Sequence, residues 1–496
     1  MKAKHFLLGA LALFLFSCSE DLNNDPSLNN GFNLATNEDS NGNNNGGGDP
    51  IIESEEIVEN PFIKVDDESI STFSVDADGA AYSNVRRFLS EGQLPNPDYI
   101  RTEELVNYFN YNYPEPSSNA PISLSGEISK CPWNNSHQLM RIGIKGKTIA
   151  PQNYPASNIV FLIDVSGSMN IENRLPMLQT GFKKYVDQLR DEDRVAIVTY
   201  AGSAGLVLES TSGREKDKIK DAIDNLKSGG STNGEGGIIE AYKIANENII
   251  QGGNNRVIVA TDGYFNVGVS NQEELVSLIE EKRDLGIFLT IIGVGSNNNE
   301  GTLEQIANNG NGSFEYLDNA AQVDKVFINE YNKFFTVAKD VKVQIEFNRS
   351  LVKEYRLIGY ENRILSTEEF LDDTKDAGEI GSGQSITALY ELIPASNPDR
   401  TIPAFEIDFR YKDPDSGSSQ GLALNIFDED KLFSEASQDH RFSASVASFG
   451  LLLRDSEYRG NTDFDKIRNW ASSSNSFDPF GYKEEFIQLV QRAKEL

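Results

Sequence analysis

Ile159-Val160-Phe161-Leu162-Ile163-Asp164-Val165-Ser166-Gly167-Ser168-Met169 decides how the rest of this chain is read. Five apolar residues in succession have the composition of a strand buried on both faces, the kind found inside a parallel sheet. The run then breaks into Asp-x-Ser-x-Ser, which pushes one carboxylate and two hydroxyls out at the strand's carboxyl end. That edge is where open α/β sheets bind ligands. Donors made only of oxygen suit a hard divalent cation such as Mg²⁺, not a metal that seeks thiolate or imidazole.

Two more segments point to the same place. Gly229-Gly230-Ser231-Thr232-Asn233-Gly234 is a small polar loop opening an amphipathic stretch (Ile238, Ile239, Tyr242, Ile244, Ala245), so Thr232 falls at a loop-to-helix junction. Arg256 to Gly263 is a second buried-type strand ending in Thr261-Asp262-Gly263. Around them strands and helices alternate: Leu175 to Leu189 and Lys216 to Leu226 read as helices, Arg194 to Tyr200 and Phe288 to Val294 as strands. The alternation predicts an α/β fold, a doubly wound, mainly parallel sheet with helices on both faces and right-handed crossovers. The oxygen donors of all three segments can then converge at one edge.

In this order, Asp-x-Ser-x-Ser, then Thr, then Thr-Asp-Gly, the chain resembles the von Willebrand factor A (VWA) domain with its metal-ion-dependent adhesion site. The resemblance implies that Asp164, Ser166, Ser168, Thr232 and Asp262 form the metal site. Hydroxyls and the threonine would ligate directly, and the aspartates directly or through water. The cation would be Mg²⁺, with Ca²⁺ or Mn²⁺ as alternatives. Two aspartates beside neutral hydroxyls leave such an ion incompletely neutralised, so a carboxylate from a protein ligand can complete its shell. The competing reading makes Asp-x-Ser-x-Ser alone a helix-capping turn. The competing function is a structural scaffold in an envelope assembly, with a vestigial metal site.

The formal charge of −31, from 76 acidic against 45 basic residues, argues against nucleic acid or an anionic membrane surface as partner. Of three histidines, His5, His137 and His440, no pair has metal-ligand spacing, which argues against a zinc hydrolase. Gly417-Ser418-Ser419-Gln420-Gly421 matches Gly-x-Ser-x-Gly but falls in a polar turn between strands rather than at a strand-to-helix elbow. Gly146-Lys147-Thr148 ends like a phosphate-binding loop, yet Arg141 stands where its first glycine belongs, so no nucleotide is expected. No acid–base pair can be nominated, and the expectation is a binding protein, not an enzyme.

The N-terminus carries an address. Lys2 and Lys4 precede an apolar run, Phe6 to Phe16, which is short for a membrane span and of signal-peptide form. It ends Leu15-Phe16-Ser17-Cys18, resembling a bacterial lipobox. The expectation is a signal peptide over 1–17, Cys18 lipidated, and an outer-membrane lipoprotein of a Gram-negative bacterium. Ser19-Glu20-Asp21 resembles an acidic signal for display on the cell surface; a plain secreted protein is the alternative. The membrane would be met through the lipid alone. Residues 18–58, rich in Asn, Gly, Ser and Asp, read as a tether.

Three further units are expected: an α+β unit over 59–155, the VWA domain over 156–335, and a C-terminal region over 336–496, first β-sandwich-like and then helical. In the first, Thr102 reads as a helix-capping hydroxyl and Arg86-Arg87 as a solvated or ion-paired face. Asp76-Ala77-Asp78-Gly79 reads as a turn. Residues 74–88, 101–113, 376–381 and 387–391 resemble a bacterial family of VWA proteins in which such flanking units recur. That resemblance implies architecture and little about activity.

Overall fold

The computed structural model describes residues 57–75, 78–117, 120–201, 203–229, 236–263, 272–295, 300–414 and 416–496. At its centre is a six-stranded sheet in the order Phe314–Leu317, Ile287–Val294, Asn254–Thr261, Ser157–Asp164, Arg194–Ala201, Ser203–Ser212. The first five strands are parallel, and the last folds back antiparallel as a hairpin.

Side chains alternate across a strand, so a contiguous apolar run must be buried on both faces. Ile159, Phe161 and Ile163 pack under helices Leu175–Gln188 and Lys216–Asp224, while Val160 and Leu162 pack under Gly237–Glu247, Gln272–Asp284 and Glu300–Asn309. All five side chains are wholly excluded from solvent. The expected doubly wound sheet is thus the observed one. Ser203–Ser212 was not foreseen. It lies at the sheet's edge, where Leu206 and Val207 face outward, and so carries no buried-strand pattern.

The flanking segments depart from expectation. Residues 59–155 do not form a separate unit; they share two antiparallel sheets with 336–496. One sheet runs Ile63–Lys64, Val352–Ile358, Ser385–Pro394, Gln138–Gly146, Ile122–Lys130. The other runs Ile364–Leu365, Ile70–Ser74, Thr336–Phe347, Phe405–Lys412, Ser419–Ile426, with Gly378–Gly381 paired beside Thr336–Phe347. Neither segment supplies enough strands to cover a core alone, and the apolar faces of both sheets close on one interior. Helices Ala80–Ser90, Thr102–Asn107, Gln438–Leu453, Phe464–Ser472 and Tyr482–Glu495 gather around a second core, which reaches Leu139, Ile358 and Leu389 of the first sheet.

Arg86 shows how closely the parts are joined. It is buried, not solvated. Its guanidinium meets Asp318 at 2.6 Å, Glu485 at 3.1 Å and the Tyr108 hydroxyl at 2.8 Å. One side chain therefore ties the first helix, the central domain and the last helix. Arg87 is only partly exposed, 3.5 Å from Glu91. Thr102 is the first residue inside its helix rather than its cap; Arg101 holds the cap position, without a side-chain bond. Asp76 and Ala77 lie outside the described residues, and Asp78 accepts a hydrogen bond from the Phe314 N–H. Of the motif Gly417–Gly421, only Gly417 and Ser418 lie in the turn between strands Phe405–Lys412 and Ser419–Ile426; Ser419, Gln420 and Gly421 open the second strand, so the expected turn is shorter than the motif, and no helix follows it as a nucleophile elbow needs. No helix among the described residues is long and apolar enough to cross a membrane.

Candidate metal centre

The site begins with topology. From Ser157–Asp164 the chain moves to Arg194–Ala201 on one side, then returns to Asn254–Thr261 on the other. Strand order reverses between Ser157–Asp164 and Asn254–Thr261, opening a crevice at their carboxyl ends. Asp164 ends the first of these strands and Asp262 follows the second.

Asp164 is fully buried. Its Oδ1 accepts the Ser166 N–H at 2.8 Å, which folds the chain into a short turn, Gly167–Met169. Met169 closes that turn by donating its N–H to the Ser166 carbonyl at 3.0 Å and sinking its side chain into the core. The loop is thereby pinned, with the Ser166 and Ser168 hydroxyls 2.9 Å apart. Neighbouring ligands on a Mg²⁺ octahedron with bonds of 2.1 Å stand about 3.0 Å apart, so this spacing fits such an ion.

The electrostatics fit a cation as well. Burial pushes the Asp164 carboxyl up from 3.8 to about 6, and the Asp262 charge adds to the rise; the Ser166 amide and hydroxyl and the Tyr200 hydroxyl oppose it. Tyr200 lies directly across from Asp164 in the adjacent strand. Asp164 Oδ2 is buried and has no hydrogen-bond partner among the described residues. A buried, ionisable oxygen left unsatisfied beside a second carboxylate is an expensive arrangement without a cation. Among the described residues no group of three or more His, Cys, Asp or Glu is placed to hold a metal, so any ion here depends on hydroxyl donors.

Four of the five expected residues are therefore placed at one edge. Thr232 lies outside the described residues. The described residues on either side of its loop are anchored at this same edge: the Gly229 N–H donates to the Val165 carbonyl at 2.8 Å, and a Cβ on Gly237 would stand 3.0 Å from that of Tyr200. Cys18 also lies outside the described residues.

Arg174 was not anticipated. Its Nη1 donates to Asp262 Oδ2 in a close ion pair, and to the Ser168 carbonyl at 3.0 Å. The guanidinium also lies on Gly295, where a Cβ would come within 2.6 Å of Arg174 Nε. Gly295 directly follows the strand Ile287–Val294, where the sequence alone gives a glycine no special reason. The structure gives the reason: its φ of +78° and missing side chain open a seat for the arginine.

Comparison with known proteins places this fold. Residues 158–328 match the von Willebrand factor type A domain, residues 53–141 a family described as von Willebrand factor, and residues 332–496 the C-terminal region of the uncharacterized protein YfbK. YfbK of Escherichia coli strain K12 is 41% identical over 465 residues, covering 88% of this chain and 80% of that protein. This chain belongs to the YfbK family.

An uncharacterized protein of Synechocystis, sll0103, is 22% identical over 302 residues, or 58% of this chain and 69% of its own. Among solved structures, a von Willebrand factor type A protein from Catenulispora acidiphila aligns with a TM-score of 0.42 at 16% identity, over 77% of this chain and 92% of that one. The expected combination of a VWA domain with family-specific flanking regions is the one the matches show. A VWA domain assigns this YfbK relative to protein interaction in the broad sense.

Proposed function

We propose that this protein binds a protein ligand through a divalent cation held by Asp164, Ser166, Ser168, Thr232 and Asp262, with Mg²⁺ as the resident ion. The observation that carries the reading is the buried Asp164 Oδ2, without a hydrogen-bond partner among the described residues, beside two hydroxyls and a second carboxylate at the strand-order reversal. Mg²⁺ retains water readily, and a carboxylate of the partner would replace one such water. The ion serves recognition. No residue is assigned to catalysis.

The same proposal places the protein on the outer membrane, anchored through lipid on Cys18, with residues 18–58 as the tether to the folded body. Capture from cell envelopes with the intact protein tests the binding role. One partner recovered in Mg²⁺, and lost both with EDTA and with Asp164→Ala, is the expected result. Equal recovery under all three conditions would favour the scaffold with a vestigial site. Metabolic labelling with a radioactive fatty acid, lost in Cys18→Ser, tests the anchor.

A further inference from the structure

We infer that Arg174 is a resident rival of the metal: it neutralises Asp262 and must leave that carboxylate before a divalent cation binds it directly. The inference rests on the metal-site reading above and adds a regulatory element to it.

Arg174 is not a surface charge that happens to lie close by. Its side chain is mostly enclosed, and so is that of Asp262 (17% and 7% exposed). Three separate elements build its seat. Asp262 follows the strand Asn254–Thr261, the Ser168 carbonyl belongs to the metal loop, and Gly295 leaves the strand Ile287–Val294. The Gly295 carbonyl is itself fixed by the Tyr316 hydroxyl from the next strand. A glycine with positive φ, held in place from behind and bare where the guanidinium lies, shows that the fold keeps this position open for arginine.

The seat and the metal position share Asp262. A dication and a guanidinium on one carboxylate, in a pocket screened from water, repel each other strongly. Both of these bonds run from Arg174 Nη1, so freeing Asp262 for the ion draws the guanidinium away from the Ser168 carbonyl as well. The site thus has two states, one closed by an internal cation and one loaded with an external ion. Observed metal affinity is the intrinsic affinity reduced by the fraction of molecules in which Asp262 is free. If the pair is formed in nine molecules of ten, removing Arg174 raises apparent affinity about tenfold.

Isothermal titration of the full chain with Mg²⁺ tests this. Four proteins are compared: wild type, Arg174→Gln, Gly295→Ala and Asp164→Ala. Arg174→Gln removes the rival; Gly295→Ala leaves it in the chain and crowds it off its seat, so the second variant serves if the first fails to fold. Both should bind Mg²⁺ about tenfold more tightly than wild type. A second readout is melting temperature. In EDTA, Arg174→Gln should melt below wild type because Asp262 is left unpaired; in saturating Mg²⁺ the difference should shrink or reverse.

The two hypotheses fail differently. Should Asp164→Ala abolish Mg²⁺ binding while Arg174→Gln and Gly295→Ala leave affinity unchanged or weaker, the metal site stands and the rivalry is overturned. Should Asp164→Ala bind Mg²⁺ as wild type does, the site itself falls, and Arg174 with it.

Discussion

Asp164→Asn should make the ion-free protein more stable. The Asp164 carboxyl is raised from 3.8 to about 6 chiefly by burial, which means that its ionised form is penalised in the folded state. At 1.36 kcal/mol per tenfold change in proton affinity, the penalty is about 3 kcal/mol at neutral pH. The sign follows from linkage: an acid whose folded value lies above its unfolded one destabilises the fold fully above about pH 6, and the penalty fades as pH falls toward 3.8. Asparagine keeps the Oδ1 acceptor for the Ser166 N–H and carries no charge. Allowing for imperfect placement of the new amide, the expected gain is about 2 kcal/mol. Urea denaturation at pH 7.5 in EDTA measures it, and the same titration at pH 4.5 should show the two proteins drawing together. In Mg²⁺ the order should invert, because only wild type gains binding energy. If Asp164→Asn were no more stable than wild type in EDTA, the carboxylate would not be the strained, cation-seeking group on which the site depends.

Other perturbations have equally definite outcomes. His440 is wholly buried, with Ser129 Oγ at 2.9 Å from Nε2, and burial drives its imidazole far below 6.5. Its neutral form supports the fold above pH 6.5 and that support is lost as pH falls, so wild type should lose about 2 kcal/mol more than His440→Gln between pH 7 and 5. Urea midpoints at the two pH values read the difference, and parallel losses would contradict it. Arg86→Ala strands Asp318 and Glu485 and should cost about 3–5 kcal/mol in chemical denaturation; a change under 1 kcal/mol would mean that the network is ornamental. Gly312→Ala places a Cβ 1.3 Å from the Leu289 carbonyl oxygen, and should cost about 3 kcal/mol or more, seen as a lower melting temperature. Competitive titration should rank Mg²⁺ above Ca²⁺, since five side-chain donors with retained water suit a six-coordinate ion and fall short of the roughly six to eight protein oxygens that hold Ca²⁺ tightly. Tighter Ca²⁺ binding would refute the octahedral fit.

What the sequence disclosed depended on how far a residue's reason lies along the chain. Ile159 to Ile163 could be read directly, because burial on both faces writes a local signature. Asp164 and Asp262 followed, since strand ends in a doubly wound sheet meet at one edge. The sandwich could not be apportioned this way. Gln138–Gly146 pairs with Ser385–Pro394 across more than two hundred residues, and alternation shows that each is a strand without naming its partner. Arg174 was hidden for the same reason: Asp262 is 88 positions away, and nothing near Arg174 distinguishes it from a surface base. Arg86 was legible as a charge that wanted a partner, but not as one whose partners sit at 318 and 485. Thr102 misled because a Thr-Glu-Glu start suits a cap, while here the helix begins one residue earlier than that pattern implies.

The long-range pairings also bear on where the candidate metal edge lies along its own strand. The central domain is inserted between sandwich strands, Gln138–Gly146 before it and Thr336–Phe347 after it. The segments leading in and out meet at Tyr154 and Phe335, whose rings stack with centroids 3.9 Å apart and planes 5° from parallel. Arg256, near the start of its strand, adds a bond to the Phe334 carbonyl at 3.3 Å. All of this tying happens at the amino ends of the parallel strands. Asp164 stands at the carboxyl end of the same strand, seven residues from Ser157, or about 23 Å away. The Arg86–Asp318 bond fastens the carboxyl side as well, but at the edge strand Phe314–Leu317, three strands away from Ser157–Asp164. The strand that anchors the insertion is thus the one that delivers the first candidate ligand.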